Sequence, residues 1–157
     1  MDKYREFVKL KHGDQKRIQG TPYYLHPYEV SNILENKGYK GDYLLVALFH
    51  DLFEDTNTTE EEILFLSNDE VLSAVKLLTK EDNYDMENYV SRITSNELAR
   101  VVKLADRLHN LTEAIYADNN FKKRYIEETL TWYIPLSKNT VFESDIKNAL
   151  DILVGSI

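Results

Sequence analysis

The fold is most constrained by how little interrupts helix-forming sequence. Five glycines and three prolines are spread through 157 residues, and no segment alternates apolar and polar residues as a half-buried strand would. In VVKLADRLHNL, residues 101–111, Val101, Val102, Leu104, Ala105, Leu108 and Leu111 form a stripe along one helical face. This pattern predicts an all-α chain. Helices are expected over 2–12, from Pro27 to Gly38, from an Asp42 cap to Phe53, and over 59–66, 69–79, 85–94, 97–117 and 121–134. Thr58 and Thr59 ahead of Glu60, Glu61 and Glu62 read as a capping box. Pro135 is expected to bend or end the 121–134 helix, and Thr140 with Glu143 to cap a last helix to Val154. The stretch HGDQKRIQGTPYYLHP, residues 12–27, is polar and carries Gly20 and Pro22, which predicts a loop.

A chain of this length that is 43% hydrophobic is expected to form one domain over residues 1–157. It has no cysteine, which rules out disulfides and thiolate metal sites and suits a reducing compartment. The opening MDKYREFVKL scatters charges among its apolar positions, unlike a signal peptide. No apolar run reaches the roughly 18 residues of a membrane span, so no membrane partner and a cytoplasmic location are expected. The net charge of −8, with lysines and arginines spread thinly, opposes a phosphate backbone, so no nucleic-acid partner is expected. A local pocket can still take an anionic small molecule against that global charge. No Walker-type Gly-rich loop is present, so nucleotide synthesis is not expected.

The stretch ALFHDLFEDT, residues 47–56, places His50, Asp51, Glu54 and Asp55 in an otherwise apolar helix. On one continuous helix His50 stacks on Glu54 and Asp51 on Asp55. A neutral imidazole beside a carboxylate suits a divalent cation. His26, in LHP, offers a second imidazole at a loop-to-helix junction. Asp106 sits beside the 101–111 stripe, where burial raises a carboxyl pKa unless a partner holds the charge. A metal, Lys103 or an arginine would serve. Together His26, His50, Asp51 and Asp106 make a four-ligand set with room for water, the composition of a catalytic site rather than a closed structural one. Glu54 and Asp55, one turn on, are placed to orient or deprotonate that water. A His–Asp pair on a helix is common by itself, and the stripe alone is ordinary core. The functional case rests on all the pieces occurring together. His12 and His109 read as structural histidines rather than ligands.

The order H-P, H-D-x-x-E-D-T, K-L-A-D-R-L-H-N resembles the HD-domain metal-dependent phosphohydrolases. It is similar in particular to the hydrolase domain of RelA/SpoT enzymes and to the small alarmone hydrolases. The likeness runs from HGDQKR and GTPYYLHP through ALFHDLFEDT, LLTK and VKLADRLHNL to ETLTWYIPL, nearly the whole chain. It implies a single-domain HD-type helical bundle that uses one manganese ion to remove the 3′-pyrophosphate of (p)ppGpp. Carried over by motif, the metal ligands would be His26, His50, Asp51 and Asp106, and the catalytic pair Glu54 and Asp55. Arg17 would stack on the purine, Asn110 would lie near the sugar, and Lys103 and Arg107 match family positions either as substrate contacts or as helix packing. Ligand types alone leave the metal open between the imidazole-favoured zinc, nickel, copper and iron and the carboxylate-favoured manganese and magnesium.

The departures fall outside the metal set. Asp14 stands where the family has Gly, Ile18 and Gln19 where it has Lys and Ser, and Leu111, Thr112 and Glu113 where it has a Met/Leu-Arg-Thr run. They alter the shell that reads the substrate. The first expectation is hydrolysis of ppGpp or a related nucleotide. The second keeps the site and takes a nucleoside monophosphate or NADPH. A third is a nucleotide-binding HD domain without catalysis, against which the retained Glu54–Asp55 pair argues.

Overall fold

A computed structural model describes residues 2–157. In chain order the helices are α1 (Asp2–His12), α2 (Leu25–Asn36), α3 (Asp42–Phe49), α4 (Leu52–Asp55), α5 (Glu60–Leu66), α6 (Asp69–Leu78), α7 (Met86–Thr94), α8 (Glu97–Glu113), α9 (Asn119–Glu128), α10 (Ile134–Ser137) and α11 (Glu143–Gly155). The described residues contain no strand beyond one isolated antiparallel bridge between Lys16 and Pro22, which closes the predicted 12–27 loop. No described helix is long and apolar enough to cross a membrane.

α8 is the axis of the bundle. Its apolar stripe is buried except for half-buried Leu108, and α2, α3, α6, α7 and α11 pack around it. Phe49, Leu34, Leu48, Leu52, Leu104, Leu111, Ile146 and Leu153 are fully buried and bring these helices into one core. Side-chain caps fix where helices start. Thr59 Oγ1 accepts the Glu62 N–H at 3.2 Å while Glu62 Oε1 accepts the Thr59 N–H at 3.0 Å, the reciprocal box expected from the sequence. Asn68, Asp85, Asn96 and Asp118 cap α6, α7, α8 and α9 by one arm only, each side chain accepting a first-turn backbone N–H.

Several boundaries differ from expectation for local reasons. Pro27 is the third residue of α2 rather than its first, still within the turn where a missing N–H costs nothing. Asp42 is the first helical residue of α3, and Gly41 takes the cap position at φ 60°, a conformation open to glycine. Asp42 instead accepts a hydrogen bond from Asn68 at 3.1 Å. The helix expected through Phe53 breaks at His50–Asp51, so the simple i,i+4 stacking of one helix does not apply there. At that break the His50 ring bonds the Ala47 carbonyl at 2.6 Å, and a side chain competing for a ladder carbonyl bends a helix. α8 ends at Glu113 and tightens into a 3₁₀ turn over Ala114–Tyr116. Pro135 does not end the helical path. A wider π-type turn over Thr129–Tyr133 precedes it, and Pro135 then lies in the first turn of α10. Thr140 Oγ1 accepts the N–H of Phe142, the residue before α11, so it shapes the entry turn rather than the cap.

Candidate functional site

Three parts of the bundle bring the sequence-marked donors together. The first turn of α2 supplies His26, the α3–α4 junction supplies His50 and Asp51, and the middle of α8 supplies Asp106. His26 Nε2 lies 2.8 Å from Asp106 Oδ1 and 3.7 Å from Asp51 Oδ2. His50 Nε2 lies 3.2 Å from each of the same two oxygens. One ligand atom from each of the four residues falls within 4.8 Å of all the others. The two histidines and Asp106 are buried, with Asp51 half-buried beside them.

The chemistry of this donor set fits a divalent ion. His50 Nδ1–H is committed to the Ala47 carbonyl at 2.6 Å, so in a neutral ring Nε2 presents a lone pair to two carboxylates. Lone pairs and anionic oxygens converging out of water need a proton or a cation between them. Burial pulls the His50 pKa down, but the charges of Asp51 and Asp106 drive it well above the usual histidine value. Burial pushes both carboxyls up; His50 overcomes this for Asp51, and Lys103 with His50 for Asp106, holding both below the carboxylate range. Two imidazoles and two carboxylates are a borderline-to-hard set that a divalent ion can neutralise in place of protons.

Every member has an outer partner. Tyr23 Oη–H donates to Asp51 Oδ2 at 2.8 Å. Lys103 Nζ donates to Asp106 Oδ2 at 3.1 Å, leaving Oδ1 to the imidazoles and to Asn110 Nδ2, also at 3.1 Å. His26 Nδ1 lies 2.7 Å from His109 Nδ1. Such contacts orient ligands and set their basicity.

Two cavities abut at this cluster. A polar one of about 150 Å³ is lined by the four donors together with Glu54, Lys80, Lys103 and Tyr89. One Glu54 oxygen accepts the Lys80 backbone N–H, and partial burial raises the Glu54 pKa. Burial also raises Asp55, which is not among the cavity's lining residues; its backbone carbonyl accepts from Gln15 at 2.6 Å. The second cavity, about 300 Å³, is lined by Arg17, Ile18, Gln19, Glu113, Phe121 and Tyr125, and shares Tyr23 and Asn110 with the first. Arg17 donates to Asn110 Oδ1 at 2.8 Å and to Glu113 Oε1 at 3.1 Å, with its guanidinium 5.5 Å from the Tyr23 ring. Asn110 therefore touches Asp106 with its amide and Arg17 with its carbonyl, joining the two cavities.

No family model matches the chain. It is 37% identical over 154 residues to the guanosine-3′,5′-bis(diphosphate) 3′-pyrophosphohydrolase of Aquifex aeolicus, covering 93% of this chain and 22% of that protein. It is 35% identical over 148 residues to the GTP pyrophosphokinase rsh of Brucella ovis, covering 87% and 20%. The chain thus spans about a fifth of the length of these curated relatives. A solved structure described as a metazoan ortholog of SpoT superposes with a TM-score of 0.83 at 22% identity over 99% of this chain and 96% of that one. A Listeria monocytogenes EGD-e structure superposes with a TM-score of 0.64 at 24% identity, covering 85% and 98%. The chain has the HD-type helical fold, and its sequence is similar to one segment of these longer relatives.

Two residues are placed more narrowly than the sequence allowed. Arg107 lines neither cavity. Its guanidinium donates to Glu128 at 2.5 Å and lies 4.1 Å and 3.9 Å from the ring centres of Tyr125 and Tyr133, which is the packing role of the two the sequence left open. His109 is half-buried against His26, rather than isolated in solvent or core. Sequence reasoning missed the contributions of Tyr23 and Lys80 to the cavities. Tyr23 and Lys80 do lie inside the GTPYYLHP and LLTK motifs, but nothing in their spacing says where their side chains reach.

Two measurements follow from this geometry. Manganese at about 100 times its Kd is expected to stabilise the fold by about 2.7 kcal/mol, seen as a rise in Tm that a chelator reverses and Asp51→Asn abolishes. Arg107→Ala is expected to lower unfolding free energy by about 2–4 kcal/mol in urea titrations, because it strands Glu128 and empties the space between two rings.

Proposed function

We propose that this domain is a metal-dependent phosphohydrolase that removes the 3′-pyrophosphate of guanosine tetra- or pentaphosphate, or of a related nucleotide. The observation that carries this reading is the pair of abutting cavities. The polar one joins a four-donor cluster to a carboxylate and two lysines, and the other is walled by aromatic rings and a guanidinium. That pairing matches the phosphate and nucleoside halves of one ligand. The Aquifex relative is named for this reaction, and the metazoan SpoT ortholog is described as hydrolysing ppGpp.

His26, His50, Asp51 and Asp106 would hold one divalent ion, manganese in this proposal. When bound, such an ion supplies Lewis-acid polarisation of a phosphate oxygen and lowers the pKa of its water. The chain's own groups do the rest. Glu54 lines the cavity with a raised pKa, which suits a base that takes the proton of the attacking water. The Lys80 N–H fixes its orientation. Asp55 supports the same turn from beside the cavity. Lys80 and Lys103 place two cations where pyrophosphate charge develops, the positioning and neutralisation that phosphoryl transfer needs. Arg17, held by Asn110 and Glu113, and the rings of Tyr23 and Tyr125 flank a planar base. We place the domain in the cytoplasm, where a cysteine-free chain suits the reducing environment.

A second reading keeps the site and changes the substrate to a nucleoside monophosphate or NADPH. It is favoured by Ile18, Gln19 and Glu113 at the nucleoside cavity, where Glu113 offsets the Arg17 charge. A hydrolysis panel with manganese, including ppGpp and NADPH, separates the two. Pyrophosphate release from ppGpp is expected. Glu54→Gln is expected to keep metal binding and lose roughly 10²–10⁴-fold in turnover. Clear hydrolysis of another nucleotide with none of ppGpp rejects the first substrate. Tight nucleotide binding without turnover in any divalent metal rejects catalysis.

A further inference from the structure

We propose that His109 is a positioning residue that sets the tautomer of His26 by accepting its Nδ1–H. The inference rests on the reading of His26 as a metal ligand and concerns a residue that the mechanism above does not use.

The two Nδ1 atoms face each other at 2.7 Å, with the rings near-parallel at 23° and their centres 5.0 Å apart. Two imidazole nitrogens at that distance share one proton: one donates and the other accepts. The other nitrogen of His26 decides which. Nε2 points at Asp106 Oδ1, 2.8 Å away, within the four-donor cluster. To ligate a cation there it must offer a lone pair, so the single proton of the neutral ring sits on Nδ1. His26 is therefore the donor, His109 Nδ1 the acceptor, and the His109 proton lies on Nε2.

The remaining members of the cluster are fixed in other ways: His50 by the Ala47 carbonyl, Asp51 by Tyr23, and Asp106 by Lys103 and Asn110. His26 alone has a second imidazole in that role. His109 is one helical turn beyond Asp106 on α8, so the helix that supplies one donor also holds the tautomer of another. His26, His109 and Glu113 also converge closely enough to invite a different assignment, a second ion on the far side of His26. The Glu113 carboxylate is already engaged by Arg17 and Gln19, which argues against it.

The test is calorimetric titration of the apo protein with manganese, comparing wild type, His109→Leu and His109→Asn. The wild type is expected to bind one ion. Leu removes the acceptor and is expected to weaken binding roughly 10–100-fold. Asn returns an acceptor oxygen near the Nδ1 position and is expected to recover most of the loss. In the zinc-loaded wild type, long-range ¹H–¹⁵N spectra are expected to show His26 protonated at Nδ1 and His109 at Nε2. Unchanged affinity in folded His109→Leu, or the opposite tautomers, overturns the inference. So does binding of two ions by the wild type and one by His109→Leu. Failure of the wild type to bind manganese at all would instead strike the metal-site reading beneath it.

Discussion

The site depends on one buried carboxylate. Asp106 sits in the middle of the helix around which the bundle packs, on the flank of a stripe that is otherwise apolar. A lone carboxylate there would take up a proton to avoid losing its hydration. Four side chains prevent that. Lys103 holds one oxygen, while Asn110, His26 and His50 meet at the other. These partners come from α2, the α3–α4 junction and α8 itself, so keeping Asp106 charged also sets how those elements meet. The electrostatic requirement of one residue and the packing of three elements are thus the same constraint.

Function follows from the groups recruited around that charge. The break between α3 and α4 turns Asp51 in beside His50 and leaves Glu54 lining the same cavity. Asn110 carries the arrangement across to Arg17 and the second cavity. The departures at Ile18, Gln19 and Glu113 line the second cavity and not the polar one that holds the four donors.

Much of this was legible in the sequence, for identifiable reasons. Helical periodicity with few breakers identifies an all-α chain, and polar residues in apolar surroundings single out His50, Asp51 and Asp106. The break at His50–Asp51 was not legible, because the apolar pattern runs through it; the cause is a side chain bonding its own helix. The role of Arg107 was left open for a related reason. Lys103, Asp106, Arg107 and Asn110 follow helical spacing on one face, but the long Arg107 side chain reaches Glu128 instead. The contacts of Tyr23 with Asp51 and His109 with His26 span 28 and 83 positions, and no local rule connects such distances.

The central claim is that His26, His50, Asp51 and Asp106 hold one catalytic divalent ion. Anomalous X-ray scattering from crystals grown with manganese tests it most directly. The account predicts a single strong peak within bonding distance of both Nε2 atoms and of a carboxylate oxygen from each aspartate. A peak beside His109 and Glu113 instead, or no peak in a protein that still hydrolyses nucleotide, would contradict it.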